Sequence, residues 1–306
     1  MTDDNRINGR EIVAFDFETF PIGNATIFPE PVCVSTADQS GASISVLTSM
    51  SRVMRDVLTD NDVHLVAQKS GFDLGVAALR LGLMREVLQA ILDERVYCTK
   101  LAEKLLDLAD FGSNEFQPLP NGEVLRLKYG LEDLVRKYLD IDISEAKKSD
   151  LRTSYAAYAG LPLDKWDKSA IEYSKNDSTY TRDVALAQLR RAAELEEVLG
   201  LDPLASLPLH VAADFCLGLF SERGMVIDVA KMEEIKTRIE RALSERADDG
   251  EPSILETLQE SGMLRPEEPP RPYANDPTKM TKGKPASKNM EAIQERIRQV
   301  WELYCE

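Results

Sequence analysis

The feature that most constrains the fold is the order in which short apolar runs follow one another over the first hundred residues. EIVAFDFE (11–18), PVCVSTA (31–37) and ASISVLT (42–48) are β-leaning and separated only by turn residues, the pattern of an antiparallel meander. SRVMRDVLTD is then helix-like, DVHLVAQ (62–68) reads as a buried strand, and FDLGVAALRLGL (72–83) has amphipathic helical spacing. DERVYCTK (93–100) can supply a further short strand. From LAEKLLDLAD onward the pattern is helical almost to the end, interrupted by the loop GSNEFQPLPNGE. A sheet that begins antiparallel and continues through a strand-helix-strand unit is mixed, so the class is α/β.

A long helical pattern from Lys168 to Leu199 closes this first part, and the chain turns between Gly200 and Pro208. LHVAADFCLGLFSERG and VAKMEEIKTRIERALSERA follow as two helices around GMVID. RPEEPPRPYANDPTKMTKGKPASKN, rich in proline and charge, reads as an extended or mobile loop. A last amphipathic helix, NMEAIQERIRQVWELYCE, carries Ile293, Ile297, Val300, Trp301 and Tyr304, which want a partner surface. A length of 306 residues accords with two domains, expected at 1–198 and 199–306, the second mainly helical.

Composition excludes several classes. With 43% hydrophobic and 29% charged residues, neither disorder nor a collagen-like chain is indicated. No apolar run approaches the roughly 20 residues of a membrane span, and MTDDNRINGRE has no leader pattern. A cytoplasmic protein without membrane contact is expected. Cys33, Cys98, Cys216 and Cys305 form no CxxC pair, so neither a disulfide framework nor a cysteine zinc site is indicated. The formal charge of −16 argues at first against nucleic acid, whose binding is largely phosphate neutralisation by Lys and Arg.

Certain acidic residues nevertheless sit where charge is costly. Asp16 and Glu18 end the first strand two residues apart and so project from one face, where both can reach one cation. With 53 acidic residues in 306, such pairs arise by chance about nine times, and a solvated strand end is the alternative. Asp73 follows the apolar strand at a helix start, which also suits a purely structural carboxylate facing the helix dipole. Tyr173 and Asp177 are four apart in a helical pattern and share a face; alone they are an ordinary surface pair.

As an ordered set, VAFDFET, VAQKSGFDLGV and YSKNDSTYTRDV resemble the three exonuclease motifs of the DEDD superfamily, in the subclass whose third motif is YxxxD. YCTKLAEKLLD and YGLEDLVRKYLDIDISEAKKSDL resemble the family's intervening segments, so the likeness covers roughly residues 10 to 195. LPLHVAADFCLGLFSERGMVIDVAKMEEI and TKGKPASKNMEAI are similar to the passage from exonuclease to polymerase, and to the thumb, of family A DNA polymerases such as bacterial DNA polymerase I and its phage counterparts. Nothing resembles the palm or fingers, so no polymerase activity is expected; a piece of a longer polymerase and a split gene product both fit.

The resemblance implies a ribonuclease H-like sheet and a metal-dependent 3′–5′ exonuclease acting on single-stranded or frayed DNA 3′ ends, the proofreading part of a polymerase in a bacterial or phage-infected cell. It implies two divalent ions, Mg²⁺ or Mn²⁺, which suit oxygen ligands. Asp16 would bridge them, Glu18 and Asp177 would complete the site of the water-activating ion, and Asp73 would hold the second through water. Tyr173 would orient the attacking water, since a phenol with an ordinary pKa near 10 is a poor base. Lys69 departs from the pattern, many relatives having Asn there; it would contact substrate phosphate, disturb the metal site, or pack its stem and reach solvent. Phe20 and Phe72 would stack on a frayed base or pack in the core. Lys147 and Lys148 in the basic linker, and Lys279, Lys282, Lys284 and Lys288 in the thumb-like stretch, are candidate phosphate contacts or solvated charges.

Two further readings stand beside this one. A ribonuclease D-like RNA exonuclease shares YxxxD, although residues 200–306 favour the polymerase relatives. A slow exonuclease-fold module that binds DNA and docks a separate polymerase chain would use Lys69 and the terminal helix. Under any metal-dependent reading the acidity changes meaning, because bound cations supply the positive charge that meets the phosphate.

Overall fold

The computed structural model describes residues 6–23, 26–119, 122–144, 154–224 and 228–237 with their side chains, the rest of a helix to 244, and short strands between 264 and 288. The chain divides into two compact units, Met1–Gly224 and Met225–Glu306.

In the first unit, β1 (Arg6–Ile7) pairs with β2 (Arg10–Thr19), which runs antiparallel to β3 (Pro31–Asp38), itself antiparallel to β4 (Gly41–Val46). After α1 (Thr48–Thr59), β5 (Val63–Ala67) returns beside β2 in parallel, with Ala14 level with Val66. Helices α2 (Ser70–Arg80) and α3 (Met84–Leu92) then lead to β6 (Val96–Cys98), parallel to β5. The order β4-β3-β2-β5-β6 is the mixed sheet expected from the run order, with helices flanking it. Every residue of β5 is buried, which fits a run that is apolar apart from His64.

α4 (Thr99–Phe111) follows, ending at Gly112 in the left-handed region at φ 70°. The segment read as a loop in fact contains part of a hairpin, β7 (Phe116–Pro118) against β8 (Val124–Arg126), with Gly122 at φ 84° in its turn. Proline at Pro118 and the absence of β-branched residues in GSNEFQPLPNGE hide this strand, and backbone bonds alone define it. α5 (Leu131–Leu139), two 3₁₀ turns at Tyr155–Tyr158 and Leu163–Lys165, and the 32-residue α6 (Lys168–Leu199) complete the frame. α6 lies across β2, β3 and β4 and contacts α4 and α5.

α7 (Leu207–Arg223) belongs to the first unit and packs on α2. A side chain at Gly75 would strike the Phe28 ring, and a Cβ at Gly218 would stand 2.9 Å from it, so both glycines permit the approach around that phenyl group. Glu222 of α7 accepts from Thr26 Oγ1 and from the Ile27 and Phe28 N–H groups at 2.7, 2.7 and 3.3 Å, and pairs with Arg80 at 2.7 Å. The loop between β2 and β3 is thereby tied to both helices.

A buried polar network joins α4, α5 and α6. Glu103 and Asp107, each 1% exposed, are bridged by Lys137 and Arg191 at 2.5 to 3.1 Å. Tyr138 and Gln188 donate to the other Glu103 oxygen, each at 2.7 Å. Buried charges are tolerated here because each meets oppositely charged and hydrogen-bonding partners.

In the second unit, α8 (Val229–Ser244) is followed by the short antiparallel pairs β9 (Leu264–Arg265) with β12 (Ser287–Lys288) and β10 (Pro272–Tyr273) with β11 (Asp276–Met280). The proline-rich stretch thus includes strand pairs. The last amphipathic helix of the sequence reading lies outside the described residues, as do Lys147, Lys148, Lys282 and Lys284. Lys279 falls in β11 and Lys288 in β12.

Candidate active site

Strand alternation turns Asp16 and Glu18 toward α6, while Phe15 and Phe17 enter the opposite core. Their cross-strand neighbours on that face are Ser35, opposite Asp16, and Cys33, opposite Glu18. The Ser35 hydroxyl donates to the Ser174 carbonyl at 2.8 Å, and Cys33 Sγ lies 3.6 Å from Ser174 Oγ. These contacts fix the height of α6 over the sheet beside Tyr173 and one turn before Asp177. Position and spacing singled out the acids in the sequence; Ser35, Cys33 and Ser174 were missed there, and their one signal is their register opposite Asp16 and Glu18.

Asp16, Glu18 and Asp177 converge so that one carboxylate oxygen from each lies within 4.8 Å of the others. Glu18 and Asp177 are buried and Asp16 is half-buried. Three carboxylates so close, largely withdrawn from water, repel one another unless a cation compensates them. An all-oxygen donor set fits a hard divalent cation and does not favour zinc or copper. Burial and the neighbouring Glu18 carboxylate push the Cys33 thiol well above its usual range, so it stays protonated beside the cluster.

Asp73 reaches β2 from α2. It is buried at the start of α2, and its Oδ1 accepts the Phe17 N–H at 3.1 Å, between the two strand carboxylates in sequence. Burial raises its pKa to about 7, against the lowering effect of backbone N–H groups and Lys69. It lies outside the three-carboxylate group. Lys69 is exposed, with Nζ 5.8 Å from the centroid of the Phe72 ring. Phe72 packs partly into the core, 6.2 Å from Phe28, whereas Phe20 is exposed just beyond Glu18.

Tyr173 is buried in a small aromatic cluster, 6.2 Å from Tyr155, which in turn contacts Trp166. Tyr155 was also missed in the sequence. Its hydroxyl donates to the Ala170 carbonyl at 2.7 Å and braces the turn of α6 that carries Tyr173. Burial, followed by Glu18, Cys33 and Asp177, pushes the Tyr155 phenol far above its ordinary range. Of the histidines, His64 is buried in β5 and His210 is exposed on α7.

A family model described as 3′–5′ exonuclease matches residues 5–191. No curated protein matches at a significant level. Among solved structures, one titled as the apo form of a nuclease shares 18% identity and a TM-score of 0.47, covering 74% of this chain and 92% of its own. Brucella melitensis NrnC shares 19% identity at a TM-score of 0.44, covering 70% and 88%, and the Aedes aegypti Nibbler EXO domain shares 15% at 0.42, covering 67% and 86%.

Proposed function

The chain belongs to the 3′–5′ exonuclease family, enzymes that hydrolyse phosphodiester bonds, and from that premise we propose that it trims single-stranded or frayed DNA 3′ ends as the proofreading part of a family A DNA polymerase. The observation that carries the catalytic reading is the convergence of Asp16, Glu18 and Asp177 within 4.8 Å. The polymerase context rests on the sequence likeness of residues 207–235 and 281–293.

Asp16, Glu18 and Asp177 would hold the divalent cations, Mg²⁺ or Mn²⁺, with Asp73 assisting through water. Bound there, such cations acidify an attacking water and neutralise charge on the leaving 3′ oxygen. The chain's own groups do the positioning. Tyr173, packed against Tyr155, would orient the attacking water with its hydroxyl. The Phe17 N–H keeps the Asp73 carboxylate beside the strand end. Phe20 and Lys69, both exposed, would meet a base and a phosphate of the strand. The polymerase-like stretch, residues 199–306, would link this site to a polymerase, carried on the same or a separate chain. Lys147, Lys148, Lys279, Lys282, Lys284 and Lys288 are proposed as auxiliary phosphate contacts.

The test incubates 5′-labelled and 3′-labelled DNA oligonucleotides, and RNA of the same sequence, with Mg²⁺ or Mn²⁺. A descending ladder from the 5′ label, early loss of the 3′ label, and silence of Asp16→Ala are expected. An unchanged rate in Asp16→Ala overturns the site. Faster loss of RNA replaces the DNA assignment with an RNA exonuclease.

A further inference from the structure

The hairpin of β7 and β8 has two faces of different character. Its ladder runs beyond the three strand pairs, with Leu127 N donating to Glu115 O at 2.9 Å and Leu119 N to Glu123 O at 2.8 Å. The register is therefore continuous from Glu115 to Leu119 against Glu123 to Leu127, and alternation assigns each side chain to a face. One face carries Phe116, Pro118, Val124 and Arg126, all exposed, and Lys128 continues its period. Phe116 and Arg126 are direct cross-strand partners. Both acids of the hairpin, Glu115 and Glu123, fall on the opposite face. In a chain of formal charge −16, this face is cationic and apolar, with no carboxylate of the ladder on it.

Its base is anchored at the end of the sheet that carries the candidate site. Gln68, directly after β5, donates to the Tyr129 carbonyl at 2.9 Å, and Lys104 stands 5.6 Å from the Tyr129 ring. Lys69 is the next residue, and Asp73 follows in α2. With Ala14 level with Val66 in the parallel pair, Gln68 and Asp16 lie at the same height in the sheet.

We propose that this face is the docking surface for the single strand of DNA that feeds its 3′ end into the carboxylate cluster, with Phe116 stacking on a base and Arg126 and Lys128 meeting its phosphates. The assignment rests on the exonuclease reading above and deepens it. A flat aromatic face beside guanidinium and ammonium groups holds single strands without sequence preference. An acidic protein surface lacks the complementarity for such a strand, and this face supplies it.

The experiment measures fluorescence anisotropy of a labelled single-stranded DNA oligonucleotide, in EDTA so that nothing is cleaved, for the full chain and for Phe116→Ala, Arg126→Ala and Asp16→Ala. Phe116→Ala is expected to weaken binding about tenfold or more, and Arg126→Ala to weaken it while reducing the salt slope by about 0.7. Asp16→Ala, which removes one negative charge from the cluster the 3′ end enters, binds at least as tightly as wild type. Both hairpin variants retain the wild-type melting temperature and, with Mg²⁺, cut a dinucleotide substrate too short to reach the hairpin at the wild-type rate. Wild-type affinity in both variants overturns the proposal, as does equal loss on the dinucleotide, which points to damage at the site itself. Tighter binding of RNA of the same sequence removes DNA as the occupant. Absence of any cleavage by the wild-type chain fails the underlying exonuclease reading, and with it this surface.

Discussion

Asp16 follows the buried run Ile12, Val13, Ala14 and Phe15 in β2, and its carboxylate stands against two others. Removing its charge while keeping its shape therefore separates chemistry from folding. Asp16→Asn is expected to lower cleavage on the order of 10² to 10³-fold or more, while the metal-free protein melts at the same or a higher temperature because repulsion within the cluster is relieved. A loss of thermal stability in EDTA would show that the carboxylate is structural. His64 gives a second test, away from the site. Burial, then Arg10 and Arg95, lowers its pKa to about 4 from the ordinary 6.5. The unfolded chain binds a proton there below pH 6.5 and the native one resists until pH 4, so stability present above 6.5 is lost as pH falls through that window. The loss amounts to at most about 3 kcal/mol. His64→Leu should flatten this acid limb, seen as a smaller fall in urea midpoint between pH 7 and pH 4.5 than in wild type. Identical slopes would remove His64 as the cause.

The elements were legible where a single period ran unbroken, as in the fully buried β5 and in α6, whose bounds match the helical pattern from Lys168 to Leu199. They were illegible where long-range approach decides the structure. Nothing local in LHVAADFCLGLFSERG says that Gly218 and Gly75 clasp the Phe28 ring, or that Glu222 caps the backbone of residues 27 and 28, because those partners lie some 140 to 195 positions away. The acids of the site were readable by type and spacing, but Ser35, Ser174 and Tyr155, which set the height of α6, carry no chemical signature of their own. The α2–α7 contact can be probed directly. Phe28 is 2% exposed and enclosed by both helices, so it cannot swing aside to admit a methyl group. Gly75→Ala should cost about 1–3 kcal/mol through overpacking, despite the better helix propensity of alanine, and Phe28→Leu in the same chain should recover part of the loss. An additive double mutant would place the strain elsewhere.

On the scale of the whole molecule, the core does not respect the limit of the family match at residue 191. Leu204, Leu207, Val211 and Phe215 share one buried cluster with Ile12, Phe15, Leu65 and Leu74 of the sheet and α2. Each such side chain contributes about 1.5–3 kcal/mol by burial, so the four together rival the net stability of roughly 5–15 kcal/mol that a domain retains. Glu222 adds polar bonds to Arg80 and the 26–28 loop just before the unit ends at Gly224. A chain cut after residue 198 would expose the α2 surface that α7 covers and leave Phe28 without one wall. It should therefore show a broad or absent thermal transition, bind a hydrophobic dye and lose nuclease activity, even though every candidate carboxylate is present. A chain cut after residue 224 keeps that packing whole and should melt cooperatively, with cleavage of short single strands within a few-fold of the full chain. Cooperative folding and full activity in the 198-residue fragment would show that α7 merely rests on the nuclease fold and takes no part in holding its site.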